Sequence, residues 1–383
     1  MRQRIFAWLV AASSAVACTV TVGAGTATAG VAGVSGSWTI QSTYYPPTAP
    51  KKDIALEAVS CPASDACLAI GRAGAKLLSE TWNGTTWSPL LTALPPGVLQ
   101  FTDLSCSGPS ACTAIAFTGG APLAERWNGT SWQAQTVPGP SGASLYGVSC
   151  PGAGSCIAVG SHKTGSQAYA TLAEAWNGTS WTVQPTPPTG SSEASLTDVS
   201  CPASSDCVAI GSAGNNPTQQ VPFIGRWNGT NWAIQKTPAL SGTSLPFLSS
   251  VSCSAASSCT AIGSYQTSSG EQPLVEHWNG TSWVLQPVPG ATNHVLDAVS
   301  CPSATSCTAT GYHANSANVL VTLAAHWNGH AWAIQPTPNP AHATESSFSD
   351  VSCPTITVCE AVGLTHATTK TGGLQDKTLI EGN

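Results

Sequence analysis

The sequence predicts an all-β fold built from repeated units, and three observations predict it. Only 8% of its 383 residues are charged, while 37 are Gly and 28 are Pro; with abundant Ser and Thr, these residues interrupt helices and suit short strands and turns. A cysteine pair with five intervening residues recurs at Cys61/Cys67, Cys106/Cys112, Cys150/Cys156, Cys201/Cys207, Cys253/Cys259, Cys301/Cys307 and Cys353/Cys359. A tryptophan pair follows the same beat, at Trp82/Trp87, Trp127/Trp132, Trp176/Trp181, Trp227/Trp232, Trp278/Trp283 and Trp327/Trp332. With 42% hydrophobic residues and a formal net charge of -6, the chain has the composition of a folded protein rather than a disordered one. Its 12 Lys and Arg are scattered singly, so no basic stripe is present to neutralise a phosphate backbone, which argues against nucleic-acid binding.

Each element of the unit has a local cause. In the fourth repeat, Leu196 to Ser200 alternates as a first strand, Cys201 to Cys207 reads as a turn, and Val208 to Gly211 as a second strand. After a polar loop, Phe223 to Trp227 reads as a third strand, Asn228-Gly229 as a turn, and Trp232 to Gln235 as a fourth strand ended by Pro238. Asn-Gly is a strong hairpin signal because both residues tolerate the positive φ that a twisted two-residue turn requires. Successive cysteine pairs lie 45, 44, 51, 52, 48 and 52 residues apart, the period of a four-stranded propeller blade and too long for leucine-rich or ankyrin units.

The seventh cysteine pair has no tryptophan pair after it. Leu379 to Asn383 matches Leu172 to Trp176, and Ser37-Trp38-Thr39-Ile40-Gln41 matches Ser180-Trp181-Thr182-Val183-Gln184. The N-terminal strand is therefore expected to complete the last unit and close a seven-bladed β-propeller, which removes the edges an open array exposes. A capped open solenoid is the alternative, and it leaves the complementary half-repeats without a purpose.

These motifs resemble secreted bacterial, actinobacterial-type β-propellers whose repeats carry a Val-Ser-Cys-Pro turn and a Trp-Asn-Gly-Thr-x-Trp turn, over residues 36 to 383. A partial resemblance to the Asp-box turn of sialidase-type propellers lies in Gly178 and Ser180-Trp181. Glu174 and Trp176 stand where that motif has Ser and Asp, so the resemblance implies a blade turn and no catalysis.

The first residues carry their own pattern. Arg2 and Arg4 precede an apolar stretch from Ile5 that ends in Ala27-Thr28-Ala29, the layout of a secretory signal peptide spanning residues 1 to 29. Residues 30 to 383 then form a single propeller domain, with 36 to 47 supplying the closing strand. Fifteen cysteines become 14 once Cys18 is removed. A lipid anchor on Cys18 is an alternative, since Ala15-Val16-Ala17-Cys18 partly resembles a lipoprotein box; an uncleaved anchor is another. No other stretch approaches the roughly 20 apolar residues that span a bilayer.

The recurring residues admit structural and functional roles. The cysteines read as seven local disulfides, because close residues flanking a tight turn are within bonding reach and an oxidising compartment suits this density. The tryptophans suit packing across strands and between blades, with sugar stacking the alternative. Glu80, Glu125, Glu174 and Glu276 each stand two residues before a Trp and are expected to hydrogen-bond within the blade. Asn83, Asn128, Asn177, Asn228 and Asn279 head N-glycosylation sequons that the turn alone explains. Asp103, Asp198, Asp350, Asp297 and Glu57 either bond local turns or ring the channel mouth and bind a cation. No catalytic, cofactor or metal motif is present, and the three arginines of the mature chain, Arg72, Arg126 and Arg226, are not expected to converge as a sialidase site requires.

Function is expected where the repeats differ. The second cysteine and first tryptophan lie 15 residues apart in the first two repeats and 19 or 20 apart in the next four, so the loops between second and third strands vary over a constant scaffold. Tyr169, Tyr265, Tyr312 and His313 on that side are the expected ligand contacts. The expectation is a secreted, monomeric, non-catalytic binding module for a glycan, a cell-envelope polymer or an extracellular protein. A carbohydrate hydrolase or lyase using Asp198 and Asp297 is the second reading, and a structural adaptor the third.

Overall fold

In a computed structural model, the described residues are 37–43, 53–118, 121–140, 142–165, 168–216, 219–240, 244–368 and 373–383. The signal-peptide reading with Ala29 and Cys18, and residues 44 to 47 of the closing segment, lie outside them. The described residues contain 28 strands and no helix. The strands form five four-stranded antiparallel sheets and one eight-stranded sheet. That eight-stranded sheet holds the third and fourth repeats, joined at the single parallel bridge Tyr169↔Glu193.

The fourth repeat runs Glu193–Ala203, Asp206–Gly214, Val221–Trp227 and Trp232–Gln235. Its first hairpin is tighter than the sequence suggested. The cysteines belong to the strands, and the turn is only two residues wide, because a pair such as Cys253↔Cys259 or Cys106↔Cys112 sits directly across the ladder. In all seven repeats the two sulfurs stand at disulfide-bonding distance: Cys61 with Cys67, Cys106 with Cys112, Cys150 with Cys156, Cys201 with Cys207, Cys253 with Cys259, Cys301 with Cys307, and Cys353 with Cys359.

The second cysteines, expected within the turn, stand in the second strands instead. Cys67, Cys112, Cys156, Cys207, Cys259, Cys307 and Cys359 are each the second residue of a second strand. All seven are buried and belong to the apolar clusters between repeats. The physical reason is strand alternation, which turns this position toward the packed face. These sulfurs are therefore core atoms that no ligand reaches, and their contribution is structural.

At the second turn, Asn228 Oδ1 accepts the backbone N–H groups of Thr230 and Asn231 at 3.0 and 2.8 Å, while Gly229 takes φ 93°. This side-chain turn repeats at Asn83, Asn128, Asn177, Asn279 and Asn328. Each first strand carries a β-bulge four residues before its first cysteine, as at Thr197 between Leu196 and Asp198. Behind it the second strand comes so close that only glycine fits: a Cβ on Gly211 would lie 2.0 Å from the Ser195 carbonyl oxygen.

Two hydrogen-bond series, one of them present at every junction, link neighbouring repeats. The Ser of each Val-Ser-Cys or Leu-Ser-Cys motif accepts the Cys N–H one repeat on, as in Cys253 to Ser200 Oγ at 2.9 Å; the series runs through all seven repeats and includes Cys61 to Ser352. In four of the six pairs the second Trp donates its indole N–H to a Gln one repeat back, as in Trp283 to Gln235 and Trp332 to Gln286, both at 2.8 Å, whereas the buried Trp232 indole nitrogen makes no hydrogen bond among the described residues. The first repeat has Leu90 where the Gln stands, and Trp132 uses Ser79 instead. Trp38 takes the tryptophan position of the last repeat and donates to Gln335. Its neighbours pair with the final strand, Thr39↔Gly382 and Ile40↔Glu381.

The apolar core lies at the junctions. Seven buried clusters each combine two repeats, one of them joining Ile54 and Leu56 of the first with Val362 and Ile380 of the last. Each fully buried Leu, Ile or Phe contributes about 1.5–3 kcal/mol, so neighbouring repeats stabilise one another.

Candidate functional site

The four predicted contacts separate into two places. Tyr169 opens the third strand of the third repeat and is 37% exposed. Its N–H donates to Ser192 O at 2.9 Å, which places it at the bridge to the fourth repeat. Tyr265, Tyr312 and His313 belong to the fifth and sixth repeats. A chain of contacts links these two repeats: Asn293 N–H donates to Glu271 O at 2.8 Å, and the adjoining His294 stacks on His313 with ring centroids 4.6 Å apart and planes within 11°. The Nδ1 of His294 lies 2.8 Å from Thr292 O and that of His313 lies 3.2 Å from Ala314 O. Burial first, and then the neighbouring His313, push the His294 pKa down. His294 was missed in the sequence because the bulge at Asp297 shifts the strand register by one, bringing it opposite His313.

Tyr265 is half-buried and pairs across its hairpin with Gln272. Beside it opens a cleft of about 320 Å³, lined also by Gln272, Leu240, Leu285, Pro287 and Val288. The buried Gln272 amide nitrogen makes no hydrogen bond among the described residues. The wall thus combines an aromatic ring and aliphatic side chains with an amide donor, which suits a ligand having one apolar face and hydroxyl or carbonyl groups at its edge.

The acidic residues take different roles. Asp198 accepts Val199 N–H at Oδ1 (2.8 Å) and Val251 N–H of the next repeat at Oδ2 (2.9 Å). Asp103 and Asp350 repeat this arrangement with Val148 and Val59. These carboxylates therefore fasten one first strand to the next, and among the described residues no three His, Cys, Asp or Glu side chains are grouped to hold a metal ion. Glu57 lies 3.7 Å from Arg72 and accepts Phe101 N–H; burial outweighs these partners and raises its pKa to about 7.

Three of the glutamates before the tryptophans depart from expectation. Glu80 accepts Thr43 Oγ1 from the segment ahead of the first repeat, at 2.5 Å. Glu174 and Glu276 are fully buried and make no hydrogen bond among the described residues, because their strand neighbours offer backbone already committed to the sheet. Burial raises their pKa values to about 8 and about 7. Glu381 of the last repeat behaves alike, at about 8.

No family model matches the chain, and no curated protein matches it in sequence. Solved structures do match in fold. The structure of YCF48 bound to D1 peptide aligns with a TM-score of 0.55 at 14% identity, over 89% of this chain and 96% of that one. The structure of U3-55K aligns with a TM-score of 0.56 at 9% identity, over 90% and 98%. The chain has the repeated four-stranded architecture of a β-propeller.

Proposed function

We propose that the chain is a secreted, non-catalytic binding module: a closed seven-bladed ring, released by cleavage after Ala29, that recognises a glycan or cell-envelope polymer through the loops between second and third strands. The observation that carries this reading is the Tyr265 cleft. Its aromatic wall and the unbonded Gln272 amide match the amphipathic surface of a sugar ring, and the surrounding loops are where the repeats differ. Ring closure is supported by the Ser–Cys hydrogen bonds, which return from Ser352 to Cys61. Seven cysteine pairs at bonding distance accord with an extracellular environment, and no helix among the described residues is long and apolar enough to cross a membrane.

The carbohydrate-cleaving reading needs Asp198 and Asp297 as a working acid and base. Both Asp198 oxygens accept backbone N–H groups, which weighs against that pair. A screen of the mature protein against neutral and acidic glycans and polysaccharides tests the proposal. Saccharide binding that Tyr265→Ala abolishes supports it. Binding of no saccharide, together with capture of one specific extracellular protein, replaces it with the adaptor reading.

A further inference from the structure

Two junctions of the molecule carry an arginine on the third strand beside a tryptophan of the next repeat, and they differ in charge. In the fourth repeat, Arg226 pairs across the ladder with Val208 and lies over Trp278 of the fifth, 5.4 Å from the ring centroid. Its Nε and Nη2 hold both oxygens of Asp206, at 2.9 and 2.8 Å, and Nη2 also donates to Ala256 O. In the second repeat, Arg126 occupies the matching place opposite Thr113, lies 5.8 Å over Trp176 of the third repeat, and donates Nη2 to Ala153 O. The position of Asp206 is filled there by Ala111, which pairs with Gly108 as Asp206 pairs with Ala203. Among the described residues no carboxylate pairs with Arg126, and only the long 3.4 Å contact to Thr113 Oγ1 adds to its backbone bond.

This unneutralised guanidinium lines a cleft of about 360 Å³ together with Gln133, Gln135, Trp176, Thr179 and Ser180. A cleft of this size holds one or two sugar rings. Burial draws the Arg126 pKa down, the signature of a charge that has given up water without gaining a counter-ion, although a guanidinium stays protonated at neutral pH. The edge that grips Asp206 in the fourth repeat is a planar two-donor fork matched to a carboxylate. Around it stand the amide of Gln133 and the hydroxyls of Thr179 and Ser180, donors and acceptors suited to sugar hydroxyls.

We infer that the cleft between the second and third repeats binds a carboxylate-bearing saccharide, the carboxylate taking on Arg126 the place that Asp206 takes on Arg226. This rests on the glycan-binding reading and adds a second, charge-selective site remote in sequence from Tyr265. The neutralised junction at Arg226 is its built-in control.

The test is calorimetric titration of the mature protein with short oligosaccharides containing galacturonate, glucuronate or sialate, and with their methyl esters. At least one acid form binds with one site per chain, and its ester binds at least about tenfold more weakly, as loss of a charge-assisted hydrogen-bond pair predicts. Ala111→Asp, which supplies the missing carboxylate without removing any group, abolishes that binding at unchanged melting temperature. Asp206→Ala frees Arg226 and raises the stoichiometry to two. Equal binding of acid and ester, or binding indifferent to Ala111→Asp, overturns the inference while leaving the Tyr265 reading standing if neutral glycans bind there. Binding of no saccharide of any kind sinks both. Ala111→Asp-sensitive binding of an acidic peptide, with no saccharide, overturns the ligand class.

Discussion

The two ends of each repeat are built by different rules. At the end that carries the cysteine and Asn-Gly turns, the same contacts recur: cross-strand cysteines, an Asn side chain closing the second turn, and a Ser accepting the next repeat's Cys N–H. At the opposite end the contacts differ from repeat to repeat. There the fifth repeat presents Tyr265 and Gln272, the sixth a histidine stacked on His294, and the third Tyr169 at a parallel bridge. The contrast separates residues that hold neighbouring repeats together from residues that vary between them.

The largest expected effect is on the holding side and comes from pH. Glu174, Glu276 and Glu381 have pKa values raised by burial to about 8, 7 and 8 from the ordinary 4.5. The folded chain therefore keeps protons that the unfolded chain releases. The stabilisation is complete below about pH 4.5 and is lost as pH rises toward 8. Thermal melting across this window should show a falling midpoint, and Glu174→Gln should flatten the fall; a midpoint that rises with pH would break the assignment of these carboxyls as buried and neutral.

Gly211→Val comes next. Its side chain meets the Ser195 carbonyl, and overpacking of this kind costs about 3 kcal/mol, read from the denaturant midpoint. Removing one cysteine pair, with Cys201→Ser and Cys207→Ser together, should cost about 2 kcal/mol for a loop this short. Ser200→Ala leaves the Cys253 N–H without its acceptor and should cost about 1 kcal/mol, with double mutants at Ser200 and Ser352 additive because the two sites share no partner.

The recurring end was largely legible in the sequence, since cysteines, tryptophans and Asn-Gly turns have fixed spacings and local causes. The Ser and Gln that join repeats also recur visibly, as Ser-Cys and Trp-x-x-Gln, yet their partners lie one repeat away, and spacing alone does not say which group each one meets. The strand lengths were underestimated because the cysteines face each other within the ladder rather than around the turn. That is also why the burial of Cys67, Cys156, Cys307 and Cys359 was not legible: a turn residue faces water, whereas a strand residue on the packed face does not. The Glu residues misled: their regular placement reflects a buried strand position, and only the packed structure shows that Glu174 and Glu276 find no donor among the described residues. On the variable side Tyr265 was visible as an aromatic between the second cysteine and first tryptophan of its repeat, though it stands in the strand Ser258–Thr267 and not in a loop. Leu240, Gln272 and Pro287 were not, since a linker, a facing strand and a strand end converge on the cleft only after folding.

The most direct test of the account is a titration of the tightest neutral saccharide from the screen against the wild type, Tyr265→Ala, Gln272→Ala and Asp198→Asn. Loss of at least about tenfold in affinity for the Tyr265 and Gln272 variants, with Asp198→Asn binding as the wild type does, is the predicted result. Unchanged binding by both loop-side variants, or loss confined to Asp198→Asn, would contradict it by placing the ligand on the scaffold side.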